Sequence, residues 1–291
     1  FIIFQAIPHP FFLCGVALSL EKTKQLSDHL GMTLRFEYID VVSQKSSIDT
    51  KREVANVTHE KARQIIQKKH SIHERLMRLP VQTILTTNYD YSLELSVNAS
   101  FQPSNSTKEQ LYSFYRKQCV ADKTVYHIHG ECRYPKSICL GFEHYAGMLE
   151  KMRSSLVLNT KKVSSKNRFH IYDVLQGLSS PDDAWYYEFF RNNIYFLGFG
   201  FDQSEEDIWW LITYRKRLKD MYPDLVKNKL VLLETTPQNK LKEPKEAAIR
   251  KVLAAMNVEI EEQTGRTYRE KYMSALAYLG SIAKQEDATH V

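Results

Sequence analysis

The feature that most constrains the fold is a series of short apolar runs that alternate with longer segments whose apolar residues recur at helical spacing. Each run has the length of a buried strand, and the longer segments have the length of helices. The runs occupy residues 81–86, 124–128, 194–197, 230–233 and 258–260. This alternation predicts an α/β fold, a Rossmann-like parallel sheet with helices on both faces.

Several further elements are predicted from the same patterns. The apolar N-terminal stretch is interrupted at Pro8 and Pro10, which favours short buried strands over a membrane segment, and one strand is predicted over residues 11–16. A short strand is also predicted over residues 137–140. Helices are predicted over residues 58–79, 107–119, 244–256 and 268–282, from residue 204 onwards, and over most of residues 143–190.

The composition is that of a globular protein. The chain has 291 residues, of which 43% are apolar and 25% are charged, and this balance excludes a disordered chain. Because no internal repeat and no linker is evident, we expect one domain over residues 1–291. Helical insertions over residues 20–80 and 143–190 are expected to form a cap or subdomain over the sheet.

Charge, cysteine content and missing motifs exclude several classes of protein. The formal charge of +6 is spread along the chain, which favours a solvated basic surface over a nucleic-acid site. The cysteines form no CxxC pair, so a zinc ribbon built from two such pairs is absent and no metal is expected. Their low number favours reduced thiols and a cytoplasmic location. The sequence also has no nucleophile elbow, Walker loop or kinase motif.

Polar motifs follow the predicted strands, at the sheet edge where open α/β folds bind ligands. Each motif also has a structural interpretation, because Asn and Asp favour turns and caps, and a lone buried histidine is usually a core residue. Ser204 and Asp207 similarly resemble a capping box. A histidine at this edge is nevertheless a natural general base. The motifs are Gly15, Thr87-Asn88-Tyr89-Asp90, His129-Gly130 and Gly198-Phe199-Gly200-Phe201-Asp202.

Taken together and in chain order, these motifs resemble the sirtuin-like family, in particular its bacterial NAD-hydrolysing branch in antiphage defence. The family pattern is a Gly-rich first loop, then TxNxD, then HG, then a GxGxD-like segment before a helix. The chain matches the last three at residues 86–90, 129–130 and 198–202. Its first loop, residues 14–19, departs from the family's Gly-Ala-Gly-x-Ser and keeps only Gly15. The zinc module of protein-deacylating sirtuins is also missing.

The resemblance implies a role for each matched residue. Asn88 would hold the nicotinamide ribose or the attacking water, and Asp90 would help to bind the nicotinamide amide. His129 would contact the ribose hydroxyls and act as the general base. NAD would be the substrate, and no metal would be needed. The remaining cofactor-binding residues implied are Gly15, Ser19, Thr87, Gly198, Gly200, Asp202 and, on the adenosine side, Glu234.

The resemblance implies an NAD glycohydrolase (NADase) that cleaves the nicotinamide–ribose bond, as a cell-suicide effector that depletes NAD on activation. Two alternatives stay open: an NAD- or ADP-ribose-binding assembly or sensor module without turnover, and an NAD-dependent protein deacylase or ADP-ribosyltransferase. The expected partners are NAD, further copies of the chain in a homo-oligomer, and a helicase-like ATPase, an Argonaute-like protein or another defence partner. Membrane association and direct nucleic-acid binding are not expected.

Overall fold

In a computed structural model of the chain, a seven-stranded sheet forms the centre of the fold. The strand predicted over residues 11–16 lies outside the residues that the structure describes, as do the predicted site residues Gly15 and Ser19. The described residues are 2–5, 32–43, 46–66, 71–104, 112, 114–157, 171–178, 183–241 and 244–289.

The sheet has the strand order β3-β4-β2-β1-β5-β6-β7. Its strands are β1 (Ile2–Gln5), β2 (Thr83–Thr86), β3 (Lys117–Val120), β4 (Lys123–His127), β5 (Ile194–Leu197), β6 (Leu230–Glu234) and β7 (Val258–Glu262). All neighbouring strands are parallel except β3, which pairs antiparallel with β4. Without this edge hairpin strand, the order is that of a doubly wound Rossmann fold. The predicted Rossmann-like α/β fold is therefore confirmed.

Helices connect the strands, except β3 and β4, and cover both faces of the sheet. They are α1 (Met32–Ser43), α2 (Ser47–Ile66), α3 (Ile72–Met77), α4 (Ser92–Val97), α5 (Phe142–Leu156), α6 (Ile171–Leu175), α7 (Glu188–Arg191), α8 (Glu206–Met221), α9 (Gln238–Leu241), α10 (Pro244–Ala255) and α11 (Tyr268–Thr289). Single 3₁₀ turns lie at Pro135–Ser137 and Trp185–Tyr187. No helix among the described residues is both long and apolar enough to cross a bilayer.

Successive residues of the central strands belong to two different cores. In β1, Phe4 packs into a cluster with residues of α5, α8 and α10, whereas its neighbour Ile3 belongs to a cluster with residues of α2, α3 and α11. This alternation is the period of two expected of strands. Both side chains are fully buried, and burial of an apolar side chain of this size contributes about 1.5–3 kcal/mol. The apolar runs of the sequence therefore reflect burial from both sides.

Most predicted elements are confirmed, with changes at their ends. The helix predicted over residues 58–79 corresponds to α2 and α3, and α3 begins after Ser71, whose hydroxyl accepts a hydrogen bond from the Glu74 amide at 3.1 Å. The helical content predicted for residues 143–190 corresponds to α5, α6 and most of α7. The single-domain interpretation stays a prediction.

The predicted helix over residues 107–119 is wrong at its C-terminal end. Residues Lys117–Val120 form β3, which turns through Ala121 at φ 51° and pairs antiparallel with β4. Gln118 and Val120 are buried, whereas Cys119 between them is exposed, so burial has the period of a strand. Pairing with a neighbouring strand outweighs the weak helical spacing of this segment.

The strand predicted over residues 137–140 is also wrong. Its place is taken by the 3₁₀ turn Pro135–Ser137 and an irregular segment, in which the Cys139 amide donates to the His129 carbonyl at 2.7 Å. The segment packs against Gly130, where a Cβ atom would lie 2.3 Å from the Ser137 carbonyl oxygen. The apolar residues of the segment 137–140 are buried because this segment wraps around the turn after β4.

Candidate active site

The carboxyl ends of β2, β4 and β5 bring the predicted site motifs to one edge of the sheet. The strand order reverses between β1 and β5, which is where folds of this type bind nucleotides. Thr87 and Asn88 follow β2, His129 follows β4, and Gly198 follows β5. These residues lie far apart in the chain, and the parallel sheet places them on the same side.

His129 is held between two carboxylates from the segment that follows β5. Its Nε2 atom lies 2.9 Å from Asp207 Oδ2, and its Nδ1 atom lies 3.4 Å from Glu205 Oε2. The ring of Tyr145 from α5 packs edge-on against the imidazole, with 5.6 Å between ring centroids. Gly130 at φ 101° turns the chain immediately after the histidine. Together these contacts hold the imidazole ring in one orientation.

The two carboxylates favour the protonated imidazole. Burial by itself lowers the pKa of His129, but the charges of Asp207 and Glu205 outweigh it and raise the pKa to about 9. Burial is also the main cause that raises the pKa of Glu205 to about 7, against the opposing effect of His129. The protonated form of His129 is therefore favoured at neutral pH, where Glu205 is only partly ionised.

The predicted capping box of Ser204 and Asp207 is wrong. Helix α8 begins after Glu205, and no side chain caps its first turn. Ser204 instead donates its amide and its hydroxyl to Asp202 Oδ1, at 3.0 and 2.8 Å. Asp207 is fully buried and turned towards His129. A buried imidazole needs a partner, and this requirement overrides the local capping geometry.

A second buried histidine supports the loop that carries Asn88. His127 Nδ1 donates to the Asn88 carbonyl at 3.0 Å, and His127 Nε2 lies 2.8 Å from Glu94 Oε1 in α4. Burial lowers the pKa of His127, but the Glu94 charge outweighs it and raises the pKa to about 9. The loop is further held by Asp90, whose Oδ1 accepts the Ser92 amide at 2.8 Å. Asn88 itself is half-buried.

Tyr89 links the loop that carries Asn88 (the Asn88 loop) to the group formed by His129, Asp207 and Glu205 (the His129 cluster). Its hydroxyl donates to the Cys139 carbonyl at 3.1 Å, in the segment that packs against Gly130. Its carbonyl accepts the Cys132 amide at 2.7 Å. The pKa of Tyr89 lies well above its ordinary value because of burial, with Glu205 and Asp207 among the charges acting on it. The motifs after β2 and β4 therefore form one connected site.

A cavity of about 280 Å³ opens at the ends of β5 and β6. It is lined by Gly198, Gly200 and Glu234, three of the predicted cofactor-binding residues, together with Arg250 and Tyr272. Glu234 is buried, accepts the Thr236 amide at 2.9 Å, and lies 3.4 Å from Arg250 Nη1.

Asp202 does not line this cavity. It is bound to Ser204, and Lys245 Nζ lies 3.7 Å from its Oδ2. Burial acts to raise the pKa of Asp202, but the Ser204 hydrogen bonds and Lys245 outweigh it and lower the pKa. The structure thus brings Gly198, Gly200 and Glu234 together and leaves Asp202 beside them.

The comparison with known families agrees with this arrangement. The family model described as SIR2-like domain matches residues 82–260, more than half of the chain. The chain belongs to the SIR2-like domain family. The matched region contains Asn88, Asp90, His129 and Glu234, whereas Gly15 and Ser19 lie before it. No curated protein gives a significant match.

SIR2-like proteins use NAD, and the family is one of NAD-dependent enzymes. The cavity of about 280 Å³ is of the size that holds part of such a ligand, and its glycines leave the backbone accessible. His129, Glu205 and Asp207 also place ligand atoms within 4.8 Å of one another, close enough to consider a metal ion. In this SIR2-like domain a protonated His129 would supply a positive charge beside Asp207 and Glu205.

Sequence reasoning missed Glu205, Glu94 and His127 as parts of the site and treated Asp207 as a cap. The available signals were weak. His127 and His129 lie two residues apart at the carboxyl end of a predicted strand, and acidic residues occupy the first turn of α8 shortly after the GxGxD segment. Neither signal identifies which acid pairs with which histidine.

Proposed function

We propose that this SIR2-like domain hydrolyses NAD at the nicotinamide–ribose bond. The observation that carries the proposal is the connected site at the carboxyl edge, where the Asn88 loop is joined through Tyr89 to His129 and its two carboxylates. The chain belongs to an NAD-dependent family, and the site is built from residues that follow β2, β4 and β5. The nicotinamide end of NAD would lie at Asn88 and His129, and the adenosine end would reach towards Glu234.

The chemistry requires a clamped cofactor, a positioned water and stabilisation of a developing positive charge. As nicotinamide leaves, positive charge moves from the pyridinium ring to the ribose, which becomes oxocarbenium-like. Carboxylates held in a water-poor site stabilise such a charge more than they do in water. Asn88 can hold the ribose or the water by its amide group, since the loop is fixed by His127 and Asp90. Asp90 would also contact the nicotinamide amide.

Hydrolysis is favoured over acyl-lysine chemistry by the cysteine pattern. The sequence has no CxxC pair, and the described Cys132 and Cys139 are buried beside the site, with Cys119 exposed on β3. A zinc module of the kind found in protein-deacylating sirtuins therefore has no counterpart among these residues. Deacylation or ADP-ribosyl transfer would require turnover that depends on a protein acceptor.

In the cell we propose a role as an antiphage effector that depletes NAD when it is activated. The resemblance to the defence branch supports this role. Activation would come from assembly of several copies of the chain, or from a helicase-like ATPase, an Argonaute-like protein or another defence partner. Such a role places the protein in the cytoplasm.

A second candidate is a module that binds NAD or ADP-ribose without turnover. The observation that favours it is the state of His129, because both ring nitrogens face carboxylates and the ring is protonated at neutral pH. A protonated imidazole cannot act as a base until it gives up its proton. Binding of NAD with no release of nicotinamide, under activating conditions, would favour this candidate.

The proposed function is tested by measuring nicotinamide and ADP-ribose released from NAD by the purified protein, alone and with candidate activators. Asn88→Ala is expected to abolish release while the thermal unfolding midpoint stays close to that of the wild type. Asn98→Ala, at an exposed turn after α4, is the matched control and should keep full activity. Wild-type protein that binds NAD but releases no nicotinamide with any activator would refute the proposal.

A further inference from the structure

The members of the His129 cluster differ in their access to solvent. The side chain of His129 is 2% exposed, that of Asp207 is 0% exposed, and that of Glu205 is 20% exposed. Glu205 is the residue before the first turn of α8, and its side chain caps no backbone amide. It is therefore the member of the cluster that a bound molecule can reach.

The two carboxylates, Asp207 and Glu205, have different roles because they lie in different positions around His129. Asp207 lies at hydrogen-bond distance from Nε2 of His129 and is fully buried, so it orients the ring and stabilises its charge. Glu205 lies on the opposite nitrogen at the longer distance of 3.4 Å. Because Glu205 is the more exposed group, a water at the sheet edge has better access to its carboxylate than to the imidazole.

We propose that Glu205 is the catalytic base that accepts the proton of the attacking water, with His129 and Asp207 as the residues that position it. This inference rests on the proposed NAD hydrolysis. The proton acceptor is then a carboxylate outside the matched sequence motifs. His129 can carry out its positioning role while it is protonated.

The step balances without any further reactant. The bond between ribose C1″ and nicotinamide N1 breaks, and its electron pair goes to N1, which loses its positive charge. The water oxygen forms the new bond to C1″, and its proton passes to Glu205 and then to solvent. The products are nicotinamide, ADP-ribose and a proton.

The electrostatics of the cluster suit this role. Burial raises the pKa of Glu205 to about 7, so the carboxylate is a stronger base than an exposed glutamate and is still largely ionised slightly above neutral pH. The imidazolium of His129 opposes the rise and keeps the pKa from going higher. The charged and titratable groups that face Glu205 are His129, Asp207, Asp202, Tyr89, Cys139 and Tyr145.

The test compares Glu205→Gln with Glu206→Gln, its exposed neighbour at the start of the same helix. Removal of a general base lowers the rate by about 100-fold or more. We expect Glu205→Gln to lose this much kcat and to bind NAD with unchanged affinity, whereas Glu206→Gln keeps the wild-type rate. In the wild type, kcat should rise up to about pH 7 and then level off, and this dependence should disappear in Glu205→Gln.

Chemical rescue separates a base from a structural residue. Formate added to Glu205→Ala should restore part of the nicotinamide release, because a small carboxylate can occupy the vacated position, and it should not change the activity of Glu206→Gln. Glu205→Gln with near wild-type kcat and the same pH profile would overturn the inference, as would loss of folding in Glu205→Gln together with no rescue of Glu205→Ala. Wild-type protein that releases no nicotinamide would overturn the proposed function itself.

Discussion

His127 and Glu94 form an ion pair that is completely buried, with 2.8 Å between His127 Nε2 and Glu94 Oε1 and neither side chain exposed. The other ring nitrogen of His127 donates to the Asn88 carbonyl. Among the described residues, Glu94 Oε2 has no hydrogen-bond partner. The pair therefore connects the stability of the fold to the position of the proposed NAD-binding loop.

A double-mutant cycle should reveal this dependence. His127→Gln leaves a buried carboxylate without its cation, which costs about 3–5 kcal/mol. Adding Glu94→Gln removes that charge, so the double variant is expected to be more stable than the sum of the single changes, by about 1–3 kcal/mol. The free energy of unfolding is measured with urea for all four proteins. Additive single changes would show that the two side chains are not coupled.

The stability of the protein should fall at alkaline pH. The folded-state pKa of His127 is raised to about 9 from an ordinary value of 6.5. The ion pair therefore stabilises the fold fully below pH 6.5, and this contribution is lost as the pH rises through about 9. The loss is on the order of 3 kcal/mol.

Urea unfolding at pH 6.5 and pH 9.5 measures this effect. His129, whose pKa is raised in the same direction, contributes to the same fall, so His127→Gln should reduce the difference between the two pH values and not remove it. An equal difference in His127→Gln and the wild type would rule out His127 as a source of the dependence.

His129→Ala should lose both NAD cleavage and stability. Asp207 is fully buried, and the substitution removes its cationic partner, so we expect a cost of about 3–5 kcal/mol. His129→Ala/Asp207→Ala should recover part of the stability and none of the activity. His59→Ala, at an exposed position of α2, is the histidine control. Nicotinamide release by a folded His129→Ala protein would contradict the placement of His129 in the site.

Glu234→Gln should weaken NAD binding and leave the chemical step unchanged. Glu234 is buried and lines the cavity at the ends of β5 and β6, whereas Glu262 is exposed, and both contact Arg250. A lost hydrogen bond to a charged group costs about 1.5–3 kcal/mol, so KM for NAD should rise about tenfold or more with kcat retained. Glu262→Gln is the matched control and should behave as the wild type. Equal effects of the two changes would show that the contact with Arg250, and not the cavity, is responsible.

The sequence alone determined the alternation of strands and helices and the edge at which the site lies. Strands β2, β5 and β6 are apolar runs whose burial comes from both faces of the sheet, so the pattern can be read from adjacent residues. Because the carboxyl ends of parallel strands lie at the same edge of the sheet, Asn88, His129 and the glycines after β5 lie at that edge. These predictions succeed because they depend on local pattern and on a general rule of topology.

The tertiary structure alone decided the partners of the polar groups. Glu94 lies 33 residues from His127, and Asp207 lies 78 residues from His129, so no local spacing specifies either pair. For the same reason β3 and the segment around Cys139 were assigned incorrectly, since one pairs with β4 and the other wraps around Gly130. A buried charge pairs with the group that lies next to it in the packed fold. That partner is determined only when the chain packs and excludes water from the pair.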